Sequence, residues 1–232
     1  MKIIVDGGAT TKNVGANTRD AIILGLNTNY VDGFKIKVYL TLDNELVTLS
    51  DDIYDLFTQK IARIQDKTLQ EILAYNIGNK VKKQQVLSLK EVLTIFGNYN
   101  KELILELVNH QNKNALYTDM VLVTIQSYSN INIKLETANS EIFSYLRSST
   151  NAYQLGLIVN EDNLNNWYQE ADFYDIFLPL ISIFDIRDKT NEGKIVMLDQ
   201  VNNREVFDQI YNEYRNIWKY IYIITSQLSN IN

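Results

Sequence analysis

Residues 31–52 of this chain read VDGFKIKVYLTLDNELVTLSDD. Two runs rich in Ile, Val, Leu and Tyr, Phe34–Leu40 and Leu46–Leu49, flank the turn-forming residues Leu42-Asp43-Asn44-Glu45. This pattern predicts two strands joined by a tight, hairpin-like connection. Lys35 and Lys37 interrupt the first run two residues apart, so we expect both side chains on the same face of that strand.

Strand-like runs and helical segments alternate along the rest of the chain, which predicts an α/β protein with parallel strands. Eight or nine strands over the length of the chain favour a closed (β/α)8 barrel, a TIM barrel, over an open sheet. We therefore expect a single barrel domain over residues 1–232. The further predicted strands are Lys2–Val5, Leu103–Leu107, Ile131–Glu136, Gln154–Val159, Lys194–Leu198 and Tyr220–Ile224, with a ninth candidate at Phe173–Phe177. The predicted helices are Thr68–Ala74, Ser88–Phe96, Asn114–Tyr128, Ser140–Arg147 and Arg204–Arg215, the first two starting with capping-box spacing.

The composition excludes several kinds of chemistry. The chain has 232 residues, one histidine (His110), no cysteine and a net charge of −6. Thiolate zinc sites, thiol nucleophiles and disulfides are therefore excluded, as are mechanisms that need two imidazoles. The acidic balance argues against nucleic-acid binding, and the apolar runs predict neither a signal peptide nor a membrane span. We expect a cytoplasmic protein.

The block at residues 31–52 resembles the signature of glycerophosphodiester phosphodiesterases, whose sequence there runs ADGIELDVRLTKDGELVVIHDD. The similarity continues in order along nearly the whole chain. The further matching segments are Lys2–Gly8, Ala16-Asn17-Thr18, Asp66–Ile72, Ser88–Leu93, Leu105-Glu106-Leu107 and Lys194–Asn202. The resemblance implies a barrel of the phospholipase-C-like phosphodiesterase type with its site at the carboxyl ends of the strands. It also implies a role in hydrolysing glycerophosphodiesters, with two catalytic histidines and a divalent cation, Mg²⁺ or Ca²⁺, held by three carboxylates.

This chain departs from the family at nearly every one of those site positions. The two catalytic histidines are Asp6 and Ser50, and the two strand carboxylates are Lys35 and Lys37; of the family's site carboxylates, Glu106 alone is kept. Three further site positions of the family, those of an arginine, a glutamate and a lysine, are occupied here by Gly7, Ala16 and Val108. Two ammonium groups repel a divalent ion, and Ser50 has no neighbouring base to activate it. We therefore expect a non-catalytic homologue with no metal cofactor.

The sequence leaves several roles open for the altered site. In one, Lys35, Lys37, Asp6 and Glu106 form a self-neutralising ion cluster that fills a disused pocket. In another, the two lysines bind an anionic or phosphorylated small molecule without cleaving it. A third role is residual phosphodiester hydrolysis, with Asp6 as the base and Glu106 or Asp51 on a cation, and a fourth is that of a structural partner in an oligomer. His110, just beyond a predicted strand, is expected to be a loop or helix-start residue, and Asp51-Asp52 a loop and helix-start pair.

Overall fold

A computed structural model gives the fold of the chain. It describes residues 1–11, 14–49, 53–54, 61–78, 82–161, 163, 171–180 and 186–231. Ser50, Asp51 and Asp52, which the sequence singles out, lie outside these residues. No helix in the described part of the chain is long and apolar enough to cross a membrane.

Eight parallel strands close into a barrel in the described part of the chain, which confirms the predicted fold class. The first two strands, β1 (Lys2–Asp6) and β2 (Gly33–Leu40), pair with each other, and β1 also pairs with the last strand, β12 (Ile221–Thr225), which closes the ring. Each remaining barrel strand pairs with the next one along the chain. The barrel strands are β1 (Lys2–Asp6), β2 (Gly33–Leu40), β7 (Glu102–Leu107), β8 (Asn132–Thr137), β9 (Gln154–Val159), β10 (Phe173–Phe177), β11 (Ile195–Asp199) and β12 (Ile221–Thr225).

The predicted hairpin-like connection and the ninth candidate strand are both confirmed. The run after the turn forms β3 (Leu46–Thr48), which pairs antiparallel with β2 and with β6 (Leu87–Ser88), outside the barrel. The ninth candidate, by contrast, is the barrel strand β10. A short antiparallel pair, β4 (Ile53–Tyr54) and β5 (Ile61–Ala62), lies in the same excursion.

Helices follow most of the barrel strands, and local sequence fixes where several of them begin. Thr68 and Ser88 each form a capping box with the glutamate three residues on, as the spacing predicts. Two helices, Arg19–Leu26 and Ile186–Asn191, were not predicted from the sequence pattern. The helices are α1 (Arg19–Leu26), α2 (Leu69–Leu73), α3 (Leu89–Phe96), α4 (Asn114–Gln126), α5 (Ser140–Ser149), α6 (Ile186–Asn191) and α7 (Arg204–Tyr214).

The barrel interior is layered because alternate residues of each strand face the same side. An apolar layer is formed by Ile4, Ile104, Phe173, Met197, Tyr222 and Ile224. Two residues further along three of these strands, towards their carboxyl ends, come Glu106, Asp175 and Asp199. Two residues before Ile104 comes Glu102, which forms ion pairs with Lys2 and Lys134. Charged groups therefore lie on both sides of an apolar middle.

Candidate functional site

A cavity of about 450 Å³ opens at the carboxyl ends of the barrel strands, where barrel enzymes place their sites. Charged groups from five strands meet there with several neutral polar side chains. The lining residues are Asp6, Lys35, Lys37, Glu106, Ile158, Val159, Asn160, Asp175, Phe177, Asp199, Gln200, Asn202 and Ser226. The four residues that the sequence proposed for ligand binding, Asp6, Lys35, Lys37 and Glu106, are thus brought together in one cavity.

The ammonium group of Lys35 lies at the centre of four carboxylates. Its Nζ is 2.5 Å from an oxygen of Asp175 and 3.2 Å from one of Asp199, to both of which it donates hydrogen bonds. It is also 3.3 Å from Glu136 Oε1 and 3.4 Å from Glu106 Oε2. The Lys35 side chain is only 4% exposed. We call Glu106, Glu136, Asp175 and Asp199 the carboxylate ring.

The ring keeps Lys35 charged in spite of its burial. Burial disfavours the ammonium form, but the surrounding carboxylates, led by Asp175 and Glu136, outweigh it and raise the pKa of Lys35 well above its usual value. The lysine is therefore a permanent cation at neutral pH, fixed within the protein.

The ring carries more negative charge than Lys35 can balance. Burial raises the pKa of Glu136 to about 7, although the Lys35 ammonium opposes the shift. Burial likewise raises the pKa of Asp175 well above its usual value. Both oxygens of Glu136 and Oδ1 of Asp175 are buried and have no hydrogen-bond partner among the described residues. The ring thus has oxygens left over for a proton or a further cation.

Asp6 and Lys37 line the cavity beside this cluster. Asp6 lies beside Lys35 in the parallel pairing of β1 with β2. Burial, opposed by Lys35, raises the pKa of Asp6 to about 6. Lys37 lies 3.7 Å from Glu106 Oε1, and its side chain is 27% exposed. Of the two lysines, Lys37 is the one accessible from the cavity.

The expected self-neutralising cluster of two lysines and two carboxylates is incomplete. Glu136, Asp175 and Asp199 join it, so that five carboxyl groups surround two ammonium groups among the described residues. These three acids were not among the predicted site residues, because the resemblance names no carboxylate at their positions. A signal was present at Asp175, which interrupts the otherwise apolar strand β10, because a charge in such a strand requires a buried partner.

His110 is not among the residues that line this cavity, and its contacts are structural. Its Nε2 accepts a hydrogen bond from the backbone N–H of Leu40, and its ring lies 4.4 Å from that of Tyr117, centroid to centroid. Burial, reinforced by Lys113, lowers the pKa of His110 to about 4. The single imidazole is therefore neutral at physiological pH, and it lies at the loop and helix-start position that the sequence predicts.

Comparison with solved structures places this fold among glycerophosphodiester phosphodiesterases. The phosphodiesterase of Oleispira antarctica, solved with the product sn-glycerol 3-phosphate, matches with a TM-score of 0.82 and 16% identity over 99% of this chain and 94% of that one. The glycerophosphodiester phosphodiesterase of Parabacteroides distasonis matches with a TM-score of 0.77 and 18% identity, over 97% and 92% of the two chains. That of Thermotoga maritima gives 0.72 and 17%, over 97% and 94%. The chain has the fold of these phosphodiesterases.

Comparisons of sequence add nothing to the structural match. No protein-family model matches the chain, and no curated protein matches it.

A divalent cation, which the resemblance implies, does not fit the carboxylate ring as it stands. The centre of the ring is taken by the Lys35 ammonium, within 3.4 Å of all four carboxylates. A divalent ion 4 Å from that ammonium would be repelled by about 8 kcal/mol at an effective dielectric constant of about 20. Among the residues that the structure describes, no group of three or more His, Cys, Asp or Glu side chains is arranged to hold a metal ion.

Proposed function

We propose that this chain is a non-catalytic homologue of glycerophosphodiester phosphodiesterases, in which an internal ammonium group stands in place of a catalytic cation. The observation that carries the proposal is the position of Lys35, buried and paired with four carboxylates at the carboxyl end of the barrel. An ammonium supplies positive charge, but it holds no water molecule to ionise and offers no open coordination position.

The distribution of proton-transfer groups supports the same proposal. The resemblance implies two histidines, and the one imidazole of this chain accepts a hydrogen bond from Leu40 with a pKa of about 4. Asp6, which stands at the first histidine position, has a pKa of about 6 and can accept a proton at neutral pH. Cleavage of a phosphodiester requires both an acid and a base, and Asp6 has no imidazole beside it to take one of these roles.

The decisive experiment is a hydrolysis assay with glycerophosphocholine and glycerophosphoglycerol, with and without Mg²⁺ or Ca²⁺. An active glycerophosphodiester phosphodiesterase serves as the positive control. We expect no turnover above that of buffer. Turnover that Asp6→Asn abolishes, and that the surface substitution Asp208→Asn leaves intact, would contradict the proposal and support residual hydrolysis.

Binding of a phosphorylated ligand is the second candidate, and the part-exposed ammonium of Lys37 is the observation that favours it. The surplus of carboxyl groups opposes an anion at neutral pH. Protonation of Asp6 below about pH 6 reduces that surplus, so this candidate predicts binding that strengthens as the pH falls.

Calorimetry with sn-glycerol 3-phosphate at about pH 5 and about pH 8 tests the ligand directly, on either side of the Asp6 pKa. Binding at the lower pH should weaken in Lys37→Met and persist in the surface control Lys67→Met. No heat at millimolar ligand at either pH rejects this candidate. The remaining alternatives, hydrolysis by Asp6 with Glu106 or Asp51 on a cation and a structural role in an oligomer, stay predictions.

A further inference from the structure

We propose that the carboxylate ring is a cation cage whose occupant is the tethered ammonium of Lys35. A chain without that ammonium would bind a free divalent cation there, Ca²⁺ in preference to Mg²⁺, whereas the natural chain excludes both. The proposal goes beyond the loss of catalysis, because it concerns what the ring binds and not what the cavity hydrolyses.

The ring offers more oxygens than an ammonium can use. A lysine has three N–H donors, while four carboxylates approach Lys35 Nζ within 3.4 Å. Hydrogen bonds of good geometry are made to Asp175 and Asp199. Glu136 is fully buried, and its Oε1 lies 3.3 Å from Nζ with neither of its oxygens hydrogen-bonded to a described residue. Glu136 is therefore a buried carboxylate that faces the centre of the ring with Lys35 as its ionic partner, and it would face a metal ion there in the same way.

The strands hold these four groups in place whether or not the lysine is present. Glu106 and Glu136 lie side by side in the pairing of β7 with β8. Asp175 lies in the middle of β10 and Asp199 at the carboxyl end of the neighbouring strand β11, two residues after Phe173 and Met197 of the apolar layer. Because the ring is built on barrel strands, removal of one side chain from β2 leaves its other members positioned.

The number of carboxylate oxygens and the distances that they must reach favour Ca²⁺. Four carboxylates supply up to eight oxygens, and Ca²⁺ takes six to eight at about 2.3–2.6 Å with flexible geometry. The present distances of 3.2–3.4 Å to three of the oxygens suit an ammonium, so those oxygens must move inward by roughly 1 Å. Mg²⁺ requires a near-octahedral set at about 2.0–2.1 Å, which demands a larger contraction.

The test compares Lys35→Met, which keeps an unbranched apolar side chain without the charge, with Lys37→Met and the natural chain. Each is titrated with CaCl₂ and MgCl₂ by calorimetry and by thermal unfolding. At a Ca²⁺ concentration about 100 times Kd, the Tm of Lys35→Met should rise by about 5–10 °C, with a smaller rise in Mg²⁺. Neither the natural chain nor Lys37→Met should respond, because Lys35 still fills the ring in both.

Two further measurements keep the proposal testable if Lys35→Met does not fold alone. Refolding of Lys35→Met from urea in millimolar Ca²⁺ should restore its circular dichroism, and the double variant Lys35→Met with Glu136→Gln, with one charge fewer in the ring, should fold more readily and still bind Ca²⁺. Failure of Ca²⁺ to bind or rescue either variant would overturn the proposal, as would equal Ca²⁺ binding by the natural chain. Turnover in the hydrolysis assay would instead remove the proposed function and leave this result unaffected.

Discussion

At the scale of single residues, Lys35 determines the chemistry of the site. Its ammonium is almost fully buried and lies within 3.4 Å of four carboxylates, so it offsets part of their charge and occupies the place where a cation would sit. Lys37, two residues along the same strand, contacts Glu106 from a position that remains partly exposed. Similar residues on one strand face therefore have different roles, set by how many carboxylates each one meets.

The first prediction concerns stability. Removal of one partner from a buried ionic cluster leaves uncompensated charge and costs about 3–5 kcal/mol, whereas an exposed pair contributes about 0–1 kcal/mol. Lys35→Met should therefore lower the free energy of unfolding, measured in urea at neutral pH without metal, by about 3–5 kcal/mol. Lys37→Met should cost about 1 kcal/mol or less. Equal losses in the two variants would show that Lys35 is not the centre of the cluster.

The second prediction concerns His110, whose pKa falls from 6.5 to about 4 on folding. Between these values the unfolded chain binds a proton that the folded chain does not, so stability is lost as the pH falls through this window. The contribution is about 3 kcal/mol when fully lost. His110→Gln should remove this slope from urea midpoints measured between pH 7 and about pH 4. Parallel pH profiles for the variant and the natural chain would contradict the assignment.

At the scale of elements, the alternation of β2 divides its side chains between two environments. Phe34, Ile36 and Val38 pack into the main hydrophobic core, while Lys35 and Lys37 line the cavity. The sequence predicted this division, since a strand with period two has two faces and the turn at Asp43-Asn44 marks its end. The same turn predicted a hairpin-like connection after β2, but the sequence did not predict that β3 would also pair with β6.

The third prediction concerns the packing of strands β9 and β10. A Cβ added at Gly156 would lie 2.1 Å from the ring of Phe173, which fills the apolar layer of the barrel. Gly156→Ala should therefore destabilise the chain by about 1–3 kcal/mol in urea unfolding. Gly15→Ala is the matched control, because a Cβ there meets only the Ile77 carbonyl at 3.7 Å. A neutral result at Gly156 would mean that Phe173 does not pack against that strand.

At the scale of the whole molecule, the barrel interior has charged groups on both sides of an apolar layer. Glu102, at the amino end of β7, pairs with Lys2 and Lys134, and the Lys134 ammonium lies 4.9 Å from the Tyr222 ring centre. The carboxylate ring lies at the other end of the strands. The closed barrel was predictable from strand and helix alternation, whereas the ring was not, since it depends on which strands become neighbours.

The fourth prediction separates the two ends of the barrel. Glu102 is 3% exposed and meets two lysines, so Glu102→Gln leaves the Lys134 ammonium buried without its anion. The variant should lose about 3–5 kcal/mol of stability. Its cation response in thermal unfolding should remain that of the natural chain, because Lys35 still fills the distant ring. A new Ca²⁺ response in Glu102→Gln would show that the two ends are coupled.

The central claim, that the Lys35 ammonium occupies the cation position of this barrel, is tested most directly by a crystal structure of the natural chain grown in excess MnCl₂. Anomalous scattering locates Mn²⁺ independently of the surrounding density. We predict no anomalous peak within the carboxylate ring, with Lys35 Nζ in contact with Asp175 and Asp199. A peak ligated by ring carboxylates, with the Lys35 side chain turned away, would contradict the claim.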